Sequence, residues 1–451
     1  MNLFELLNFK NTKIFFTSFL VISFIFLSGL KFEYFQFRFL ILLLLLPCIY
    51  KFYNDFKKKN YYFLISFLFI LFILFLHLGL NIYLEKSKLT NYSLFGIIFF
   101  LSIYAISYYY TDFINKNINL IVNLFLLIFF VSCLFSIFNY RHDSPFFCGG
   151  IPNFMPSDAL LEKYAHSMGE LRLSFKGLIF PENSHLGMIA PSIIAYTVYR
   201  SINKKNSMIE IFSLFLFLII CFIKSSTTLL LGIFLSLTLI LLFNYKQLNK
   251  KTLISFVILI LFSLSVLLLS KECRSRFVPV YNSENKQNNL FKENDKNVVV
   301  GIINTNLAYK IKNILSTEGG LSSAVVYRAF FIAKKSISEK PFGWGLNRYD
   351  QAFYYFNKME PPNIPILNSF NSKDGANNFN KLIVEFGIFS VILYLFIFMF
   401  LMNKKISLEL KLFYFPFILT QSLRGAGYFN GGFSLILLLV LFTFIKIYKK
   451  N

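Results

Sequence analysis

The sequence predicts an all-α polytopic membrane protein with about twelve transmembrane helices, and three observations carry that prediction. First, 56% of the 451 residues are hydrophobic and the mean hydropathy is +0.60, more apolar surface than a water-soluble chain of this length can hide. Second, runs such as "YYFLISFLFILFILFLHLGLNIYL" (61–84) recur along the chain. At about 1.5 Å per residue each is long enough for a bilayer core of ~30 Å, where the backbone must bond internally as a helix. Third, lysine and arginine gather in the short segments between these runs, as they do at the cytoplasmic side of helical membrane proteins.

The expected spans, in order, are about 14–30, 39–53, 61–83, 93–110, 119–139, 183–199, 208–223, 226–243, 252–269, 379–402, 411–423 and 431–447. The first run is flanked by Lys10 and Lys13 and lacks an A-x-A-like cleavage site, so it reads as a retained span. With the N-terminus inside, "KFYNDFKKKN", "RSINKKN", "NYKQLNKK", "NKKISLELK" and the tail "KIYKK" all fall on the cytoplasmic side. Both termini are then cytoplasmic. The chain divides into N-terminal spans (1–139), a first outer loop (140–182), four further spans (183–269), a large outer loop (270–378) and the last three spans (379–451).

Long loops with ordinary composition usually carry function. In the second, "SSAVVYRAFFIAKKSI" sets Val325, Phe330, Ala333 and Ile337 at helical spacing, which predicts an amphipathic helix at the membrane surface. "EKPFGWGLNRY" follows as a Pro/Gly turn holding the single tryptophan, Trp344, and 283–297 is polar. Of five cysteines, Cys48, Cys133 and Cys221 lie in spans as packing residues. Cys148 and Cys273 fall in the two outer loops, where an oxidising compartment would permit a disulfide.

The net charge of +23 sits between the spans, so it argues for a membrane surface and against nucleic acid. The four histidines have no ligand partners at useful spacing, and no phosphate-cradling loop is present, so neither a metal nor a cofactor is expected. Chemistry then rests on side chains at the outer face. In "FPENSHLG" (180–187), Pro181 suits a helix start, and Glu182 and His185 share a face in the first turn. Either can accept a proton from a hydroxyl; Glu182 and Ser184 equally suit a helix cap. Arg172, Arg328 and Arg424 sit near the outer boundary and Lys224 at a tight outer turn. Guanidinium grips phosphate bidentately, and the alternative is snorkelling to lipid headgroups.

Four segments in order resemble a known family. "RLSFKGLIFPENSHLGMIAP" looks like the Arg, Gly and Glu-Pro-Ser-His-type segment of bacterial O-antigen polymerases. "YRAFFIAKKSISEKPFGWGLNRY", "GANNFNKLIVEFGIFSVILYLF" and "LRGAGYFNGGFSLILLL" are similar to the later segments of the O-antigen polymerase/ligase superfamily. The resemblance spans roughly 130–445. It implies a GT-C-like, metal-independent glycosyltransferase at the periplasmic face of the bacterial inner membrane. Its donor and acceptor would be undecaprenyl-diphosphate-linked glycans, with a chain-length regulator as protein partner. It also implies roles: Glu182 as base with His185 beside it; Arg172, Lys224, Arg328, Asn378 and Arg424 on the substrate; Trp344 stacked on sugar. Where the family often has His-Asn, this chain reads Asn377-Asn378, and an amide is no base. That moves the base to Glu182 and His185 and favours a polymerase over a ligase acting on lipid A-core. A flippase of lipid-linked sugar is the alternative from another class.

Overall fold

A computed structural model describes residues 9–27, 31–32, 35–85, 91–138, 183–203, 205–223, 227–244, 261, 320–360, 368–369, 371–425, 427–429 and 431–449. Among the described residues the chain is helical but for one antiparallel pair of two-residue strands, Lys31–Phe32 and Phe35–Gln36. The helices are α1 (Phe9–Ile25), α2 (Leu45–Lys57, entered through a 3-10 segment, Phe37–Leu44), α3 (Tyr62–Glu85), α4 (Asn91–Phe138), α5 (Asn183–Ile202), α6 (Met208–Ile223) and α7 (Thr227–Asn244). After them come α8 (Gly320–Glu339), α9 (Tyr349–Met359), α10 (Asn378–Phe386), α11 (Ile388–Met402), α12 (Leu408–Leu423) and α13 (Phe433–Lys449).

Among the described residues three stretches are long and apolar enough to cross a membrane, Phe37–Lys57, Tyr62–Gly79 and Leu94–Cys133, and shorter apolar helices include Ile388–Met402. The outer surfaces of these helices are greasy. On α3, Ile65, Leu68, Phe69, Phe72 and Phe75 are exposed; on α11, Ile392, Leu395, Phe398 and Met402 are. A helix apolar on its outward face is stable only against lipid, so the chain is an α-helical membrane protein.

The 48-residue α4 is not one straight rod. Phe24 meets Phe99 and Phe26 meets Phe125, with ring centroids 6.0 and 4.4 Å apart. A straight helix would set Phe99 and Phe125 about 39 Å apart, too far for rings that touch residues only two apart. The break is at Asn117, whose φ of −110° and ψ of 15° are not helical. Before it, Phe99 meets Phe429, just ahead of α13, and Tyr108 and Asp112 follow Phe442 and Lys446 along α13. After it, Asn119 and Phe129 follow Glu210 and Phe217 along α6. The end of α13 and the start of α6 both lie near the start of α12: Asn403 bonds Tyr448, and Lys205 pairs with Glu409. So α4 runs to that end of the bundle and back.

The centre is built on close approach. A Cβ at Gly232 of α7 would meet Pro191 Cγ at 2.3 Å, and one at Gly187 of α5 would meet the Leu229 N at 2.7 Å. Ser236 Oγ donates to the Pro191 carbonyl at 2.8 Å, and Thr420 Oγ1 of α12 to the Met188 carbonyl at 3.1 Å. Small residues and hydroxyls at helix interfaces supply the packing that hydrophobic force cannot supply inside lipid.

Two expectations are corrected. The span expected over 379–402 is broken at Gly387 (φ 53°), where a Cβ would meet the Pro341 carbonyl oxygen at 1.9 Å. The Ile388 N–H instead donates to that oxygen at 2.8 Å. The helix over 320–339 is present with Val325 and Ala333 buried as expected, but Arg328, Ala329, Phe331, Ile332 and Ser336 complete the buried face, while Phe330 is 53% and Ile337 37% exposed. The reason is that α8 lies against α9 and α10 and turns a different face to them. The span at 252–269, the loop at 140–182, and Cys148 and Cys273 lie outside the described residues, Leu261 excepted.

Candidate functional site

The motif-bearing segments fold together around α10. Asn377 is its N-cap: extended at φ −156°, it accepts the Asn380 N–H on its side-chain oxygen at 2.7 Å. Asparagine is among the best residues for that position. The turn 341–348 wraps the other end. The Trp344 and Gly345 N–H groups donate to the Val384 and Glu385 carbonyls, each at 2.9 Å. Gly343 (φ 85°) passes so close that a Cβ would meet the Glu385 carbonyl oxygen at 2.4 Å. The imidazole of His77, on α3, contacts the Phe342 carbonyl at 2.8 Å and stacks on Phe386.

A buried charge cluster lies inside this wrap. Glu385 receives Lys381 Nζ at 2.7 Å, the Asn347 N–H at 2.5 Å, the Tyr349 N–H at 3.0 Å and the Tyr428 hydroxyl. Its charge thereby sits at the N-terminus of α9, where the helix dipole favours an anion. Lys381 Nζ also donates to the Lys373 carbonyl at 2.7 Å and lies 5.0 Å from the Tyr428 ring centroid. Every strong partner either charge needs is present, which is the condition under which a buried pair is tolerated.

Beside that pair lie two less enclosed charges, Asp374 and Arg424. Asp374 is half-buried and accepts the Ala376 N–H at 3.3 Å. Burial pushes its carboxyl above the ordinary aspartate value, while the Ala376 N–H, Lys381 and Arg424 pull it down. Gly375 (φ 69°) and Ala376 (φ 61°) are both left-handed. For alanine that is strain of about 1–3 kcal/mol, the kind of cost that gathers at functional sites. Arg424 ends α12, half-buried, with its N–H on the Thr420 carbonyl at 2.8 Å. The loop after it touches the cluster: the Gly425 N–H donates to the Ala376 carbonyl at 3.3 Å, and Gly427 (φ 85°) packs against Asp374 and Lys381.

The sequence-predicted residues distribute as follows. Glu182, Arg172 and Lys224 lie outside the described residues. His185 is in the first turn of α5; Met188, in the next turn, accepts Thr420 Oγ1 on its carbonyl, and the Thr420 carbonyl accepts the Arg424 N–H. Asn378 is fully buried, its amide on Gln421 Oε1 at 3.4 Å. Met188 of α5, Asn378 and Arg424 therefore meet around the end of α12. Arg328 is held elsewhere, 4% exposed, its Nη2 on Asn357 Oδ1 at 2.5 Å and the Glu360 carbonyl at 2.6 Å. That geometry ties off the end of α9. Trp344 is buried, with Lys340 Nζ 3.3 Å from the ring centroid and Tyr355 and Phe356 alongside, so it offers sugar no open face. Asp374, Lys381, Glu385 and Tyr428 were missed. The available signal was an ionisable i,i+4 pair inside an expected span, "NKLIVEFG", which by itself marks a site.

Among the described residues no three His, Cys, Asp or Glu side chains gather to hold a metal ion. Fold and site together define an α-helical membrane protein with a charged centre at one end of its bundle. No family model, no curated protein and no solved structure matches the chain.

Proposed function

We propose that the protein is a twelve-span, GT-C-like glycosyltransferase of the bacterial inner membrane that polymerises undecaprenyl-diphosphate-linked repeat units at the periplasmic face. The observation that carries the reading is the meeting of the superfamily-like segments. The 341–348 turn, α10 and the loop after Arg424 are bonded to one another, and α12, which ends at that loop, is bonded to Met188 of α5 through Thr420 and to Asn378 through Gln421. Arg424 neutralises the diphosphate as its bond to the sugar breaks, the role in which a fixed cation lowers a barrier most. The acceptor hydroxyl gives its proton to a carboxylate or imidazole: Glu182 or His185 at the start of α5, or Asp374, whose burial strengthens it as a base. The hydroxyl oxygen then bonds the sugar carbon and lipid diphosphate leaves. Lys381 and Glu385 hold the loop in place. Both termini are cytoplasmic, and a chain-length regulator is the expected protein partner.

The test is gel analysis of lipopolysaccharide, with extraction of lipid-linked glycans, from strains carrying Glu182→Gln or Asp374→Asn at matched protein level. Loss of a base costs about 10²- to 10⁴-fold in rate, so the ladder should vanish and leave core capped by single units. A bare core with long lipid-linked chains would make the protein a ligase. Single units trapped on the cytoplasmic face would make it a flippase. A normal ladder in both strains would return both residues to structural roles.

A further inference from the structure

A second charged site lies at the opposite end of the bundle, and nothing in the reading above uses it. There α2, α4 and α13 enclose an open cavity of about 350 Å³ lined by Lys51, Asp55, Tyr108, Tyr109, Asp112 and Lys446. That volume is in the range of small-molecule sites. Asp112 pairs with Lys446, and the partners of Asn115, three residues on from Asp112, are Tyr414 and Thr443. The cavity therefore belongs to the starting end of α12, while Arg424 closes the other end, about 24 Å away over 16 residues.

The arrangement of charge is particular. Lys51 and Asp55 are i,i+4 on α2, the spacing at which such residues usually pair. Here they do not: Lys51 Nζ donates to the Tyr109 carbonyl at 3.2 Å and lies 3.9 Å from the Tyr110 ring centroid. Lys446 and Asp112 are both within electrostatic reach of Lys51, and Asp55 lies beside Tyr108 and Tyr109. The cavity thus offers two ammonium groups and two carboxylates with no net charge. A ligand carrying one charge would be opposed by half of this lining; one carrying both is matched.

The rim says where such a ligand comes from. Tyr50, Tyr53, Tyr61, Tyr62 and Tyr448 are all exposed around this end, with Lys57 Nζ 5.4 Å from the Tyr53 ring and Lys405 Nζ 5.4 Å from the Tyr448 ring. Exposed tyrosines interleaved with lysine, just beyond greasy helix surfaces, mark the level of lipid headgroups. We propose that the cavity binds the headgroup of an aminophospholipid, its phosphate on Lys51 and Lys446 and its ammonium on Asp55 and Asp112.

The experiment uses the full chain in detergent, with native mass spectrometry for retained lipid and thermal unfolding as readouts. Phosphatidylethanolamine should be retained and should raise the unfolding midpoint, more than phosphatidylcholine or phosphatidylglycerol at equal mole fraction. Lys51→Gln and Asp55→Asn should each need about tenfold more of it, the equivalent of one charge-assisted contact. Lys358→Gln, exposed on α9 and away from the cavity, should respond as wild type. Lys446→Gln, on α13, repeats the test if the α2 variants fail to fold. Equal response to phosphatidylglycerol or phosphatidylcholine would overturn the proposal, as would an unchanged response in the cavity variants. Equal stabilisation by soluble phosphoethanolamine would reassign the site to a free phosphoamine.

Discussion

The two ends of the bundle use the same residue types to opposite effect. At one end Lys381 and Glu385 pair at 2.7 Å, 3% and 0% exposed, with backbone and hydroxyl partners occupying the rest of the carboxylate. At the other Lys446 and Asp112 pair at 2.9 Å, 28% and 65% exposed, on an open cavity. Nearly equal distances conceal different physics. Water screens the second pair and can replace either partner. In the first, water is kept away, so each charge depends on the partners fixed around it. A buried pair is therefore architecture, and an open one is free to exchange its partner for a ligand.

The sharpest way to break this contrast is to remove one member of each pair. Lys381→Met leaves Glu385 buried without its countercharge and should destabilise the protein by about 3–5 kcal/mol, read by chemical unfolding in detergent. If it costs less than about 1 kcal/mol, Glu385 is wetted and the two ends are alike. Arg328→Lys comes next. Lysine cannot reproduce the fork on Asn357 and Glu360, and losing a charged hydrogen bond costs about 1.5–3 kcal/mol. The loss should show in stability. A loss of activity at unchanged stability would instead return Arg328 to the substrate.

Asp374→Asn tests the margin between closed and open. Because burial raises the Asp374 carboxyl in the folded chain, the folded state holds the proton more tightly than the unfolded one. Its favourable contribution is complete below the unfolded value of about 3.9 and is lost as pH rises through the folded value. Asparagine removes the cost of the ionised form, so the variant should unfold at a higher temperature than wild type at pH 8. That advantage should shrink to nothing towards pH ~4. An advantage independent of pH would mean the gain comes from elsewhere. The smallest effect belongs to Lys446→Gln, where an exposed pair is worth about 0–1 kcal/mol. A larger loss would show that the cavity end is as tightly built as the Lys381 end.

Much of the frame was legible because hydropathy is local and additive. Apolar runs located α3, α5, α6, α7, α12 and α13 to within a few residues, and the positions of both passes of α4. Pro341 and Gly343 were legible as a turn, but not what they turn for, and Gly387 was read inside one continuous span. It takes the fold to show the Pro341 carbonyl beside Gly387 and the Glu385 carbonyl beside Gly343. Arg424 and Asn378 were singled out and do lie at the end of α12. Trp344 and Arg328 were singled out for chemistry and are occupied by neighbours instead. A residue's type states what it can bind, and its exposure decides whether anything can reach it.

By itself, then, the sequence determined that this chain is a bundle of lipid-facing helices, and where most of them begin and end. Those properties sum over neighbours along the chain. Only the tertiary structure decided which charges are spent on the fold. Glu385 is held by groups at 347, 349, 381 and 428, and Lys51 sits against residues 109 and 110 on another helix. Whether a charge inside such a bundle is a fastening or a site depends on partners distant in sequence, because burial and neutralisation are properties of a neighbourhood in space.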